Sequence, residues 1–195
     1  MTGGQSDGLQ GGSTLTQQLV KLSVFSTRSS DQTLKRKAQE AWLALKVERN
    51  FSKNQILTFY INKVNMGNNV YGMKTAAQYY FGKKLSDLDN SQTAILASIP
   101  RSPVLYDPYV YQDNLRTRRN EVLSGEVSMG YLTRQEADQA MAEPVGQGLI
   151  PKDQHVQDSS ASHLMVDAYV RSALNESEDS DMIRPRRPEI YTGII

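Results

Sequence analysis

Between Ser52 and the turn-rich stretch NMGNNVYG, apolar side chains fall at Ile56, Leu57, Tyr60, Ile61 and Val64. That alternation of three- and four-residue steps lines one face of an α-helix and cannot line one face of a strand. The same pattern returns through most of the chain, punctuated by cap residues, glycine and proline. Ser13 or Thr14 opens one helix, on which Leu15, Leu19 and Leu22 are expected to face inward. Asp31 opens a second, QTLKRKAQEAWLALKVERN, with an expected apolar stripe of Leu34, Ala38, Ala41, Trp42 and Leu45. After the NMGNNVYG turns, MKTAAQYYFG reads as a short helix; Ala76 and Ala77 allow close packing and Gly82 ends it. Residues 86 to 99 form another, stopped by Pro100, and residues 113 to 129 and 133 to 142 form two more around MGYLT. Residues 144 to 160 read as loop and ASHLMVDAYVRSALNE as a last amphipathic helix. Only RPRRPEIYTGII, at the end, has the β-branched character of a strand. The expected fold class is therefore mostly α.

Composition removes several functions. The net charge of +1 gives no general attraction to nucleic acid, so a cationic function must come from local clusters. There is no cysteine, which excludes disulfides and thiolate zinc sites. No run approaches the ~20 apolar residues of a spanning helix, and no signal peptide is visible. With five glycines in residues 1 to 12, the start reads as a flexible leader, and the whole as a piece of something longer.

The polar residues are less ordinary. Gln17, Gln18 and Lys21 share one short helix with the Ser13 that precedes it; Arg36, Lys37 and Glu40 share the next; Arg118 comes later. As surface decoration the Arg36–Glu40 pair would contribute only ~0.3–0.5 kcal/mol, and cation before carboxylate is the weaker order. Guanidinium and ammonium groups beside amide donors suit an anionic phosphate group. A carboxylate among cations is a poor proton donor, so Glu40 suits orienting a hydroxyl or holding a cation. No GxxxxGK[ST] loop is present, which argues against nucleotide phosphates. His155 and His163 read as solvated residues rather than as a metal site or part of a triad.

Read together, these segments resemble the family 51 peptidoglycan glycosyltransferases, the polymerising domains of class A penicillin-binding proteins and monofunctional transglycosylases. GGSTLTQQLVK (11 to 21) resembles the second family signature and RKAQE (36 to 40) the third, RKxxE. KNQILTFYINKVNMG (53 to 67) resembles the fourth and RRNEVL (118 to 123) the fifth, RxxxVL. The wording is most similar to Gram-positive members. The resemblance implies a lysozyme-like, mostly α fold and a reaction that polymerises lipid II with release of undecaprenyl pyrophosphate. It assigns Ser13, Gln17, Gln18, Lys21, Arg36, Lys37, Arg101 and Arg118 to substrate binding and Glu40 to the catalytic set as the second carboxylate. Asn62 and Gly67 are expected to be structural. The partners it implies are lipid II, the growing glycan strand, the bacterial membrane through an anchor, and a C-terminal transpeptidase domain, with no nucleic acid. The implied place is the extracytoplasmic face of the cell membrane. No cofactor is required by the sequence; a divalent cation, magnesium or manganese, is compatible with pyrophosphate chemistry, though no ligand cluster demands one.

The departures are specific. The EDxxFxxHxG signature that precedes GGST in this family, and carries its catalytic glutamate, is absent from the sequence. Arg101 stands where Asn or Gln is usual, and Gly125-Glu126 replaces a cation-Met pair, weakening that helix by ~1 kcal/mol. The expected organisation is a leader (1–12), a partial glycosyltransferase domain (13–143) and a linker with one helix leading toward a further domain (144–195). On this reading the fragment alone is expected to be inactive. The alternative is a non-catalytic lipid II-binding scaffold that keeps the fold. A lysozyme-like hydrolase fits poorly, because it needs a glutamate in a hydrophobic pocket.

Overall fold

The computed structural model of the chain describes residues 13–25, 33–155, 166 and 170–172. They group into two compact units, 13–57 with 170–172 and 58–155 with 166. Both are helical, and the one β pairing among the described residues is a single bridge, Asn65 to Tyr71. The chain is mostly α, as its periodicity requires.

In the first unit, α1 (Leu15–Val24) starts at Thr14. The Thr14 hydroxyl accepts from the Gln17 N–H at 3.2 Å, and Gln17 Oε1 accepts from the Thr14 N–H at 3.1 Å. This reciprocal box satisfies two donors that a helix start otherwise leaves orphaned. The buried face is Thr16, Leu19, Val20, Ser23 and Val24. Leu15, expected inward, is 37% exposed. α2 (Leu34–Asn50) is capped by Thr33, whose hydroxyl accepts from the Arg36 N–H at 3.2 Å; Asp31 lies outside the described residues.

The buried stripe of α2 is Arg36, Glu40, Leu43, Ala44 and Val47. This corrects the expected stripe, in which Leu34 is 90% and Leu45 58% exposed. α1 packs along α2, and the Thr16 hydroxyl donates to Glu48 Oε1 at 2.6 Å. At the far end of α1 the Arg171 guanidinium donates twice to the Ser23 carbonyl, at 3.2 and 3.0 Å. A cation there suits the negative end of the helix dipole.

The division between the units falls within α3 (Lys53–Lys63). Ser52 caps it through a hydroxyl that accepts from the Gln55 N–H at 3.3 Å. Ile56 and Val64 are buried, whereas Leu57, expected inward, is 48% exposed. The NMGNNVYG loop closes through Met66 N–H to the Val70 carbonyl and Gly72 N–H to the Val64 carbonyl, each 2.8 Å. Gly72 has φ +83°, and a Cβ there would lie 2.6 Å from the Asn62 carbonyl oxygen, so the turn admits only glycine. The Asn62 amide donates back to the Thr58 carbonyl at 2.9 Å.

In the second unit, α4 (Met73–Phe81) ends on the left-handed Gly82. α5 (Asn90–Ser98) starts from an Asp89–Gln92 capping box. It is shorter than the expected 86–99 because Asp89 caps it there; a separate 3₁₀ turn forms at Leu85–Asp87, and Pro100 sits in another, Ile99–Arg101. α6 (Gln112–Ser128) and α7 (Arg134–Ala142) follow. The core joins Met66, Ala76, Ala77, Tyr80, Ile95 and Leu115, with a smaller cluster of Ala94, Leu123, Ala137 and Ala140. Arg119 is wholly buried. Its guanidinium donates to the Glu143 carbonyl at 2.7 Å, the Met141 carbonyl at 2.9 Å and Ser91 Oγ at 3.1 Å, tying α6 to α5 and to the end of α7.

His155, expected to be solvated, instead stacks on Tyr79 with ring centroids 3.7 Å apart and shares a 2.8 Å hydrogen bond with the Tyr109 hydroxyl. Burial first, then Lys152, pushes its pKa down. His163 and most of the expected last helix lie outside the described residues, of which Val166 and Val170 are buried.

Two stability outcomes follow. A Cβ at Gly125 meets nothing within 4 Å, so Gly125→Ala should stabilise the chain by about 1 kcal/mol in urea unfolding. Arg119→Met should destabilise it by about 3 kcal/mol, because buried carbonyls lose their donors.

Candidate functional site

The first unit carries a cleft of about 230 Å³ lined by Lys21, Thr33, Leu34, Arg36, Lys37 and Glu40. The caps described above place these groups. The Thr14 box fixes the start of α1 and hence the phase of Lys21, two turns on. Thr33 fixes the first turn of α2, from which Arg36, Lys37 and Glu40 follow at helical spacing.

Glu40 is the centre. Its side chain is 4% and that of Arg36 7% exposed. Arg36 Nε donates to Oε1 at 3.2 Å and Lys37 Nζ to Oε2 at 3.0 Å. The Arg36 guanidinium also lies 5.2 Å from the Phe25 ring centroid, a cation–π contact. This is a buried ion pair, not the exposed one that spacing alone suggests. Such a pair costs several kcal/mol of desolvation per ion, and removing one partner costs ~3–5 kcal/mol.

Lys37 is 58% exposed and reaches further, donating to Ser13 Oγ at 2.8 Å. An ammonium has three donors, so two are committed and one remains for a ligand. Lys21 is half-buried on the cleft wall, and its ammonium makes no hydrogen bond or ion pair among the described residues. Three cations against one carboxylate leave the described lining at a formal +2. Both Glu40 oxygens accept from cations, one from Arg36 and the other from Lys37. The arrangement can hold a dianionic group with charged donors fixed before the ligand arrives.

The remaining expected site residues are placed as follows. Gln17 commits its carbonyl oxygen to the Thr14 box, which leaves its amide N–H groups. Gln18 Nε2 approaches the Ser13 carbonyl at 3.4 Å. Thus Ser13, Gln17, Gln18, Lys21, Arg36, Lys37 and Glu40 all lie on α1, α2 and their starts. Arg101 and Arg118 belong to the second unit. Arg101 is exposed at the end of its 3₁₀ turn. Arg118 Nη1 pairs with Glu121 at 2.7 Å, and its buried Nε has no partner. Sequence reasoning missed Thr33 and Leu34 as lining; a Thr three residues before Arg36 was the available signal for a cap.

The chain is similar to known proteins over most of its length. The profile of the family described as Transglycosylase matches residues 2–126. Penicillin-binding protein 1A of Streptococcus oralis is 46% identical over 189 residues, 96% of this chain and 29% of that one. Penicillin-binding protein 1A of Streptococcus pneumoniae is 47% identical over 175 residues, 90% of this chain and 24% of that one. The crystal structure of penicillin-binding protein 1A from Haemophilus influenzae covers 67% of this chain and 16% of that chain, with 30% identity and a TM-score of 0.42. The chain thus spans less than a third of the curated relatives it matches. With the family profile running through both cation-bearing helices and on to α6, the chain belongs to the transglycosylase family.

Proposed function

We propose that this chain is a peptidoglycan glycosyltransferase module that polymerises lipid II into glycan strands and releases undecaprenyl pyrophosphate. The observation that carries the reading is the cleft of Lys21, Arg36 and Lys37 around the buried Glu40, inside the segment matched by the family profile. In the whole protein we place this module at the extracytoplasmic face of the bacterial membrane, with a transpeptidase domain beyond it. The relatives' name, penicillin-binding protein, supports that second domain.

The chemistry follows from what each group has free. The acceptor C4 hydroxyl attacks the anomeric carbon of the growing chain. The C1–O bond to pyrophosphate breaks with inversion, and the hydroxyl proton leaves to a base. Negative charge gathers on the departing pyrophosphate. Lys21, with three uncommitted donors, and Lys37, with one, face that charge; preorganised donors of this kind often contribute more to catalysis than any other effect. Arg36 is pinned by Glu40 and supplies field rather than reach. Glu40 is a positioning residue: both oxygens are engaged by cations, so it orients Arg36 and Lys37 and does not take the acceptor proton. Among the described residues no second carboxylate lines the cleft, and the acceptor proton goes to a base outside them. A magnesium or manganese ion, were one to take part, would supply charge neutralisation to the pyrophosphate.

Two outcomes test this. Titration calorimetry with inorganic pyrophosphate should show binding that weakens as salt rises, and that falls about tenfold or more in Lys21→Ala. Binding indifferent to both would sink the donor assignment. In the whole protein, Glu40→Gln should lower the rate of lipid II polymerisation about 10²–10³-fold while the acidic limb of the pH–rate profile survives. Loss of that limb, with polymer still forming, would make Glu40 the base. Tight donor binding without turnover in the whole protein would favour a scaffold module instead.

A further inference from the structure

Glu40 holds Arg36 and Lys37 at the cleft, but it does not hold Lys21. The Lys21 ammonium makes no hydrogen bond or ion pair among the described residues, so the backbone of α1 decides where it stands. Lys21 sits in the last turn of that helix, and helix ends fray. The opening turn is closed firmly, by the Thr14 box and by the Gln18 N–H to the Thr14 carbonyl at 3.0 Å. The closing bond, from the Phe25 N–H to the Lys21 carbonyl, is longer at 3.3 Å, and a longer bond is a weaker one.

The last four carbonyls of a helix have no intrahelical partner. In α1 one of them, that of Ser23, is met from outside. Arg171 Nε and Nη2 both donate to it, at 3.2 and 3.0 Å. Ser23 is wholly buried, and so is Val170 beside the arginine. The contact is partly shielded from water, where charge-assisted hydrogen bonds gain strength. The chain leaves the first unit after Leu57 and returns to it at Val170, so Arg171 meets Ser23 across 148 positions of sequence. It lies beyond residues 2–126, which the family profile matches. Burial of Val170 would serve to seat this segment. The guanidinium adds something else, a fixed charge and two donors placed two residues from Lys21.

We propose that Arg171 is a positioning residue for the anion site: it clamps the last turn of α1 and so keeps the Lys21 ammonium at the cleft before a ligand arrives. Arg171 does not itself line the cleft and acts through Lys21. The proposal rests on the reading of that cleft as a pyrophosphate site.

The test is a double-mutant cycle on the whole 195-residue chain, with pyrophosphate calorimetry and urea unfolding on each sample. Arg171→Ala should weaken pyrophosphate binding about three- to tenfold, the coupling expected within one network. In the Lys21→Ala background the same substitution should leave affinity within about twofold, while it lowers the urea midpoint equally in both backgrounds. Arg171→Lys keeps a cation and donors at the helix end and should restore most of the lost affinity. Arg171→Gln keeps the length and loses the charge, and carries the expectation of the alanine variant should that one unfold. Amide hydrogen exchange gives a reading that needs no ligand. In Arg171→Ala the amides of Leu22, Ser23 and Val24 should exchange about tenfold faster or more, with Gln18 unchanged. Affinity that Arg171→Ala leaves alone, an equal loss with and without Lys21, or an α1 end whose exchange does not respond would each overturn this proposal alone. Absence of pyrophosphate binding by the unaltered chain would overturn the pyrophosphate reading, and this proposal with it.

Discussion

The Arg36–Glu40 pair places two opposite charges on the core-facing stripe of α2, where water is nearly excluded. Burial of an ion pair is an expensive way to stabilise a helix, and apolar residues of similar volume usually do as well or better. Its presence is better explained by what it holds still. Glu40 draws Arg36 to one oxygen and Lys37 to the other. Lys37 in turn holds Ser13 at the start of α1. The Phe25 ring packs near the guanidinium. A carboxylate in the interior thus fixes the positions of cations at the cleft, and those cations need no reorganisation when an anion arrives.

The same pair explains where sequence reasoning went astray. Periodicity follows apolar residues, and on α2 those residues describe Leu34, Ala38, Ala41, Trp42 and Leu45. The buried stripe is the neighbouring one, and two of its five members are charged. No count of hydrophobic spacing can select a face whose first turns are ionic. α1 shows a milder form: Thr16 and Ser23 take core positions, and Leu15 is displaced outward. By contrast, local chemistry was legible. The capping oxygens of Thr14 and Ser52, the left-handed Gly82 and the glycine-dependent turn at Gly72 depend on neighbours within a few residues. His155 failed for the opposite reason, since its partners Tyr79 and Tyr109 are 76 and 46 positions away in the chain.

The candidate site was legible in outline because most of its expected residues cluster on α1, the first turns of α2 and their starts, whereas Arg101 and Arg118 lie in the second unit. It was not legible in its division of labour. Gln17 does two jobs, closing a capping box and offering its amide. Glu40 lies inside, Lys37 outside, and Lys21 keeps all its donors free among the described residues. Those distinctions decide which group meets a ligand and which holds another group in place. They come from burial and hydrogen bonding that spacing does not encode.

The central claim is that the buried pair exists to organise the cleft rather than to hold the fold. The double replacement Arg36→Met, Glu40→Leu tests it most directly, with urea unfolding and pyrophosphate calorimetry on one sample. Apolar side chains of similar volume should leave stability within about 1–2 kcal/mol of the unaltered chain. Pyrophosphate affinity should fall about tenfold or more although Lys21 and Lys37 both remain. A double variant that unfolds readily, or one that binds pyrophosphate as tightly as the unaltered chain, would contradict the account.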